Sequence, residues 1–242
     1  VYFSEPTPGE ENSTHGFTEV LKPSSRVWDV VINEVMAWNE SFLTDANGNY
    51  YDWIELKNNT DQDINLKGYS LSKGSEQGPR FVFSDYVLPA HGFAVFFADA
   101  EVDIDGTSNY VPFSISASGE TLYLCDVNCY EPQIFETGFL GKNASSGLNE
   151  NGERVFFDKP TPGETNSTVY VKNYSAPVEF SLNGGEISNG QLLTLTSEEG
   201  AEIYFTVDGS LPSSSDILYA NPIVLDSSRT VRAIAIADGQ LP

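Results

Sequence analysis

The segment VWDVVINEVMAW, Val27–Trp38, is apolar except at Asp29, Asn33 and Glu34 and is dense in Val and Ile, a composition that reads as a strand rather than a helix. Outward from it the same pattern returns in DWIEL (52–56), RFVFSDYVL (80–88), GFAVFFADA (92–100), ETLYL (120–124) and RVFF (154–157), separated by clusters of Gly, Pro, Asn and Asp. Those residues supply turns, because glycine permits positive φ and proline fixes φ. Past the polar stretch NSTVYVKNYSAP (166–177), a second set follows in VEFSL, QLLTLT, AEIYFTVDG, NPIVL and TVRAIAIA. No stretch offers a capped helical stripe of three turns. Strands at this spacing without helices between them predict an all-β chain of two consecutive antiparallel β-sandwich domains.

With 242 residues, 40% of them hydrophobic, the chain is long enough to bury a core in one large domain or two smaller ones. Its 35 acidic against 12 basic residues give a formal net charge of -23, which repels phosphate backbones and argues against a nucleic-acid partner; cations are the natural counter-partners. No run has the length of a membrane span. The chain opens at Val1 without Met or a basic-then-apolar leader, so the expectation is a piece of a longer secreted protein, its signal peptide upstream.

A loop-like string also recurs: PTPGEENST at Pro6–Thr14 and PTPGETNST at Pro160–Thr168, 154 residues apart. VINEVMAWN (31–39), DANGNYYDWIELKNNTDQDINLKGYSLS (45–72), LPAHGFAVFFAD (88–99), SASGETLYLCD (116–126) and ERVFFDKPTPGETN (153–166) together resemble a bacterial lamin-tail domain, an Ig-like β-sandwich, block by block and in order. The resemblance implies that PTPG…N closes the module after its last strand. Val1–Thr14, with Val1 and Phe3 matching Val155 and Phe157, then resembles the tail of a preceding copy. The stretch from Gly200 to Pro242 is similar to the small Fn3-like sandwich at the carboxyl end of chitobiase and hexosaminidase chains, and that family usually has a further strand after Gly239-Gln-Leu-Pro242. Modules of this pair often precede a kinase-like domain in bacterial secreted proteins. The expected layout is a preceding tail and linker at 1–23, a lamin-tail-like sandwich at 24–168, a linker at 169–175 and a chitobiase-type sandwich, lacking its last strand, at 176–242.

Chemistry-bearing residues are sparse. The two histidines, His15 and His91, have no Gly-x-Ser-x-Gly elbow or Cys partner, and His91 reads as a turn residue in PAHGF. Phosphate-cradling glycine motifs are absent. Glu34 and Glu55 fall on segments that can neighbour one another, so a glycosidase-like acid pair is one reading; strand alternation gives the other, with Glu55 beside Trp53 and Lys57 on a rim or surface. In TDANGNYYDW, the oxygen-bearing Asp45, Asn47, Asn49 and Asp52 resemble the opening of a calcium loop, though Gly48 and Leu56 do not fit an EF-hand; the alternative, which we favour, is an Asx-turn loop. Trp28, Trp38 and Trp53 offer rings for sugar stacking against a default of core packing. Trp38 stands out, since the corresponding lamin-tail position is usually small and polar. Cys125 and Cys129 suit a disulfide across a hairpin with Asp126, Val127 and Asn128 as its loop, the alternatives being a poor zinc site or two buried thiols. Sequons at Asn12, Asn39, Asn58, Asn143, Asn166 and Asn173 agree with an extracellular setting and read as by-products of Asn-rich loops. The expected function is non-catalytic: adhesion, surface display or positioning of an enzyme elsewhere in the parent chain, through a protein or polysaccharide ligand. A carbohydrate-binding accessory region and a hydrolase using Glu34 and Glu55 are the alternatives.

Overall fold

The computed structural model describes residues 28–75, 81–101, 109–129 and 131–242; the preceding-repeat reading of 1–23, with His15 and Asn12, lies outside them. Among the described residues the regular elements are all strands. The first module contains β1 (Val30–Met36), β2 (Asp52–Asn58), β3 (Ile64–Asn65), β4 (Ser70–Lys73), β5 (Phe81–Val82) and β6 (Val87–Leu88). It continues with β7 (Phe93–Ala98), β8 (Tyr110–Val111), β9 (Thr121–Cys125), β10 (Gln133–Glu136), β11 (Ser145–Leu148) and β12 (Arg154–Phe157). They form a six-stranded sheet, β12-β11-β1-β2-β7-β8, antiparallel but for the β7–β8 pair, and a four-stranded antiparallel sheet, β10-β9-β4-β5; β3 and β6 pair separately. Ile32, Val35, Ile54, Leu56 and Phe96 of the larger sheet meet Leu71, Leu122, Leu124 and Phe135 of the smaller in one core. Each such side chain contributes about 1.5–3 kcal/mol on burial.

The larger sheet is covered on its other face too. Met36, Trp53 and Phe97 form a second cluster there, with Leu43, Tyr51, Val95 and Tyr110 packed against it, so all seven residues of β1 are buried. A register shift between Ile32 and Glu34 makes Asn33 the extra residue of a β-bulge. The bulge resets the alternation: Ile32 and Val35 both enter the main core, and Glu34 comes to lie opposite Glu55 on β2.

The second module holds β13 (Glu179–Phe180), β14 (Gln191–Leu193), β15 (Leu195–Thr196), β16 (Glu202–Thr206), β17 (Ile217–Leu218), β18 (Ile223–Leu225) and β19 (Arg232–Ile236). These pair antiparallel as β13-β15, β14-β18 and β17-β16-β19 around Leu193, Leu195, Ile203, Phe205, Ile223 and Leu225. The stretch between the modules, 169–175, is not a bare tether. Val171 exchanges both backbone hydrogen bonds with Phe156, at 2.9 and 3.0 Å. The Tyr174 hydroxyl accepts the Gly141 N–H at 2.9 Å. Leu241 pairs in parallel with Tyr174 and is buried in the first module's core.

Candidate functional site

Glu34 and Glu55 are brought together, register partners on adjoining strands. Neither has any exposed surface, which corrects the rim placement of Glu55: it shares a face with Trp53, as alternation predicts, but that face is roofed. The roof over the carboxylates is the recurring loop. Glu34 accepts the Ser145 hydroxyl, the Thr161 N–H at 3.1 Å and the Thr161 hydroxyl at 3.4 Å. Glu55 accepts the Gly163 N–H and, at 2.7 Å, the Asn33 amide. Asn166 completes the closure: its amide donates to the Asn33 carbonyl at 3.0 Å and the Leu148 carbonyl at 2.7 Å, and its oxygen accepts from Asn33 at 2.7 Å. Burial raises the pKa of Glu55 to about 7 against the hydrogen bonds from Gly163 and Asn33, and burial also raises Glu34 despite Ser145 and Thr161. Raised carboxyl pKa values are a mark of catalytic acids, yet here each oxygen already holds a donor of the chain itself and no surface admits a substrate. The arrangement binds a loop.

The second constellation is the loop between β1 and β2. Its aromatic residues Trp38, Phe42 and Tyr50 are 45%, 42% and 48% exposed. Three side chains bracket it. The buried Asn39 donates to the Leu43 and Tyr51 carbonyls at 2.6 and 2.7 Å and accepts from the Phe42 and Leu43 N–H groups. Asn143, at φ 56°, accepts from the Glu40 and Ser41 N–H groups and donates through its own N–H to the Trp38 carbonyl. Asp45 accepts the Asn47 and Asn49 N–H groups, both at 2.8 Å, the Asn49 amide at 3.2 Å and the Tyr110 hydroxyl at 2.7 Å. Burial pushes the Asp45 carboxyl up, but the bonds from Tyr110, Asn49 and Asn47 outweigh it and hold the pKa at about 2; the same bond sends Tyr110 up to about 12. Asp52 points elsewhere, accepting the Asn39 and Ile115 N–H groups, with burial raising its pKa. The Asp45 loop has the hydrogen bonding of an Asx turn.

Residues 23–138 match the family model of the Lamin Tail Domain, and residues 182–241 match that of the Chitobiase/beta-hexosaminidase C-terminal domain. The chain carries a lamin-tail module followed by a chitobiase-type module. No curated protein matches it. The lamin-tail match ends at residue 138, whereas the sheet of that module runs on through β11 and β12 to Phe157.

The remaining sequence candidates lie apart from these sites. Cys125 ends β9 of the lamin-tail module and is joined to Cys129, with Cα atoms 4.8 Å apart. The loop is longer than the three residues expected: β10 starts only at Gln133, and Cys129, at φ 42°, sits within the loop. Asp126 shapes it by accepting the Asn128 and Cys129 N–H groups. His91 is exposed in the turn before β7, at φ 54°, and meets Asp61 at 2.7 Å. Trp53 is core, with no exposed surface. Of the sequon asparagines, Asn39, Asn143 and Asn166 spend their amides on the brackets above, and Asn58, fully buried, donates to the Gln62, Leu88 and Pro89 carbonyls. Sequence reasoning missed the exposed Phe42 and Tyr50 and the partners Asn33, Ser145 and Tyr110; the one visible signal was the density of asparagine around the first two blocks. In the chitobiase-type module, Phe180, Asn183, Ile187, Asn189, Asp226 and Arg229 help line an open cavity of about 620 Å³.

Proposed function

We propose that the chain is a pair of non-catalytic binding modules of a larger secreted or surface protein, engaging a protein or polysaccharide through the β1–β2 loop of the lamin-tail module and so positioning catalytic domains carried elsewhere in the parent. The observation that carries this reading is three exposed aromatic side chains on a loop bracketed by Asn39, Asn143 and Asp45. A loop ordered beforehand gives up little conformational freedom on binding, and aromatic residues are enriched where interfaces form. The closed Glu34–Glu55 pair favours a non-catalytic role. The chain's negative charge favours neutral or cationic ligands over nucleic acid. An extracellular setting agrees with the Cys125–Cys129 linkage, and no helix among the described residues is long and apolar enough to cross a membrane. The test is a triple variant, Trp38→Ala, Phe42→Ala, Tyr50→Ala, compared with the parent on a glycan array, on cell-wall preparations and on a panel of surface proteins. Loss of binding with an unchanged melting temperature supports the reading, and undiminished binding refutes it.

A carbohydrate-binding accessory role is favoured by a different observation, the cavity of the chitobiase-type module, where the exposed Phe180 and Ile187 share the lining with Asn183, Asn189 and the Arg229–Asp226 ion pair. Apolar surface beside amide and charged groups suits a sugar ring. On that reading Phe180→Ala abolishes glycan binding and the loop variant leaves it intact.

A further inference from the structure

The chain contains the pairs Asn47-Gly48, Asn151-Gly152, Asn183-Gly184 and Asn189-Gly190, and the structure sets one of them apart. In each pair the lack of a Cβ on the second residue leaves its backbone nitrogen open to the side-chain amide carbon of the first. That nitrogen attacks only once its proton can leave, and a proton held by a carbonyl acceptor is not free to do so. Gly48 donates to the Asp45 carbonyl at 3.2 Å, Gly152 to the Asn149 carbonyl at 2.9 Å and Gly190 to the Leu225 carbonyl at 2.7 Å. All three also hold left-handed backbone, at φ 85°, 75° and 80°. Gly184 does neither: its φ lies outside the left-handed range and, among the described residues, its N–H has no acceptor. The stretch around it, 182–187 between β13 and β14, makes no backbone hydrogen bond among the described residues. It is anchored only at its ends, by Ser181 on Thr194 at 3.0 and 2.9 Å and by the Gln191 N–H on the Ser188 carbonyl at 3.1 Å. A Cβ on Gly184 or Gly185 would meet nothing within 4 Å, so a cyclic imide has room to form.

We infer that Asn183 is a self-modification site, at which the Gly184 nitrogen closes on the Asn183 side chain and converts it to aspartate and isoaspartate. The Gly184 nitrogen gives its proton to hydroxide and bonds to Asn183 Cγ. The Cγ–Nδ2 bond breaks, and Nδ2 takes a proton from water and leaves as ammonia. Water then opens the imide at either carbonyl: cleavage of the new bond at Cγ gives aspartate, and cleavage at the main-chain carbonyl carbon gives isoaspartate. One water is consumed and one ammonia released, with no oxidant or reductant involved. Asn183, Gly184 and Glu186 line the open cavity of the chitobiase-type module together with Asp226 and Arg229. Conversion therefore adds a carboxylate to a wall that already carries two, and the isoaspartate form lengthens the backbone of that wall by a methylene. As the protein ages, the cavity turns away from anionic ligands and toward cationic ones.

The test is a time course of the full chain held at mildly alkaline pH, then digested and mapped by mass spectrometry with fragmentation that separates aspartate from isoaspartate. Asn183 is expected to convert first, at least about fivefold faster than Asn47, Asn151 and Asn189, the factor that one net hydrogen bond makes to local opening, with isoaspartate among its products. In the urea-unfolded chain that lead should disappear, since the fold and not the dipeptide ranks the sites. Gly184→Ala, whose Cβ meets nothing, should keep the melting temperature and slow the conversion. Conversion at Asn183 no faster than at the other sites in the folded chain, the same lead in the unfolded chain, or aspartate formed without isoaspartate overturns the inference.

Discussion

Burial raises the Glu55 carboxyl from an ordinary 4.5 to about 7, and raises Glu34 in the same direction, so between pH 4.5 and 7 the folded chain keeps a proton on Glu55 that the unfolded chain has released. The stability tied to this shift is fully present below about pH 4.5 and is lost as pH rises through 7. For Glu55 alone it amounts to about 3 kcal/mol. The melting temperature is therefore expected to climb on acidification from pH 8 to 5, and Glu55→Gln should flatten that slope while weakening the closure, because its amide turns an NH2 toward either Gly163 or Asn33. A wild-type melting temperature independent of pH over that range would sink the expectation. Asp45 works in the opposite sense: lowered from 3.8 to about 2, it contributes stability above pH 3.8 that disappears as pH falls through 2. Of these two groups, Glu55 favours pH below about 4.5 and Asp45 favours pH above 3.8, so between them they are most stabilising near pH 4. Asp45 also bears on calcium. An ion at residues 45–52 would have to displace four hydrogen bonds from Asn47, Asn49 and Tyr110 and would find Asp52 committed to Asn39 and Ile115. Titration calorimetry at millimolar calcium is expected to give no saturable heat; a saturable heat with a raised melting temperature would mean that the loop reopens around the ion.

At the scale of single elements, β11 is tightly constrained. A Cβ on Gly147 would stand 2.7 Å from the Asn33 carbonyl oxygen and 3.0 Å from the Asn166 amide, so Gly147→Ala must push back either the bulge or the loop that carries Asn166. Overpacking of this kind costs about 1–3 kcal/mol; denaturant titration should show it, and an unchanged midpoint would contradict the packing described. The same strand marks the limit of what sequence makes legible. Strands of Val, Ile, Phe and Tyr announce themselves through composition, and β1, β2, β7, β9 and β12 were readable in that way. Ser145–Leu148 reads SSGL and has no strand propensity; it is a strand because it is central, with Ser145 reaching Glu34 and Gly147 making room for Asn33. The bulge at Asn33 was equally invisible, since a period of two has no symbol for an extra residue. Glu34 and Glu55 were recognisable as a pair, but their partners Thr161 and Gly163 lie 127 and 108 residues away, a distance that only folding closes. The recurring string could be noticed as a repeat; that Thr161 and Gly163 turn their N–H groups onto two buried glutamates needed the sheet beside them.

Across the whole molecule the two modules share a seam. Leu241, from the far end of the chitobiase-type module, completes the lamin-tail core, and Tyr174 packs edge-on against Phe139 and Phe156 at 5.1 and 4.9 Å between ring centroids. Leu241→Ala is expected to destabilise by about 2–5 kcal/mol, and hydrogen exchange should accelerate at Phe156 in the neighbouring module and at Val171 in the connecting stretch, as well as locally. Acceleration confined to the chitobiase-type module would show that the seam carries no stability across. Around this seam the backbone of Ser175 donates to Leu241 at 2.7 Å and Leu241 donates to Asn173 at 3.1 Å, so the chain leaves the lamin-tail module, forms the strands of the second and returns to within one hydrogen bond of its departure. Tension applied between the lamin-tail module and Leu241 therefore runs across that clasp and bypasses the sandwich, whose strands bear load only after two parallel hydrogen bonds have sheared and a leucine has been drawn out of its core.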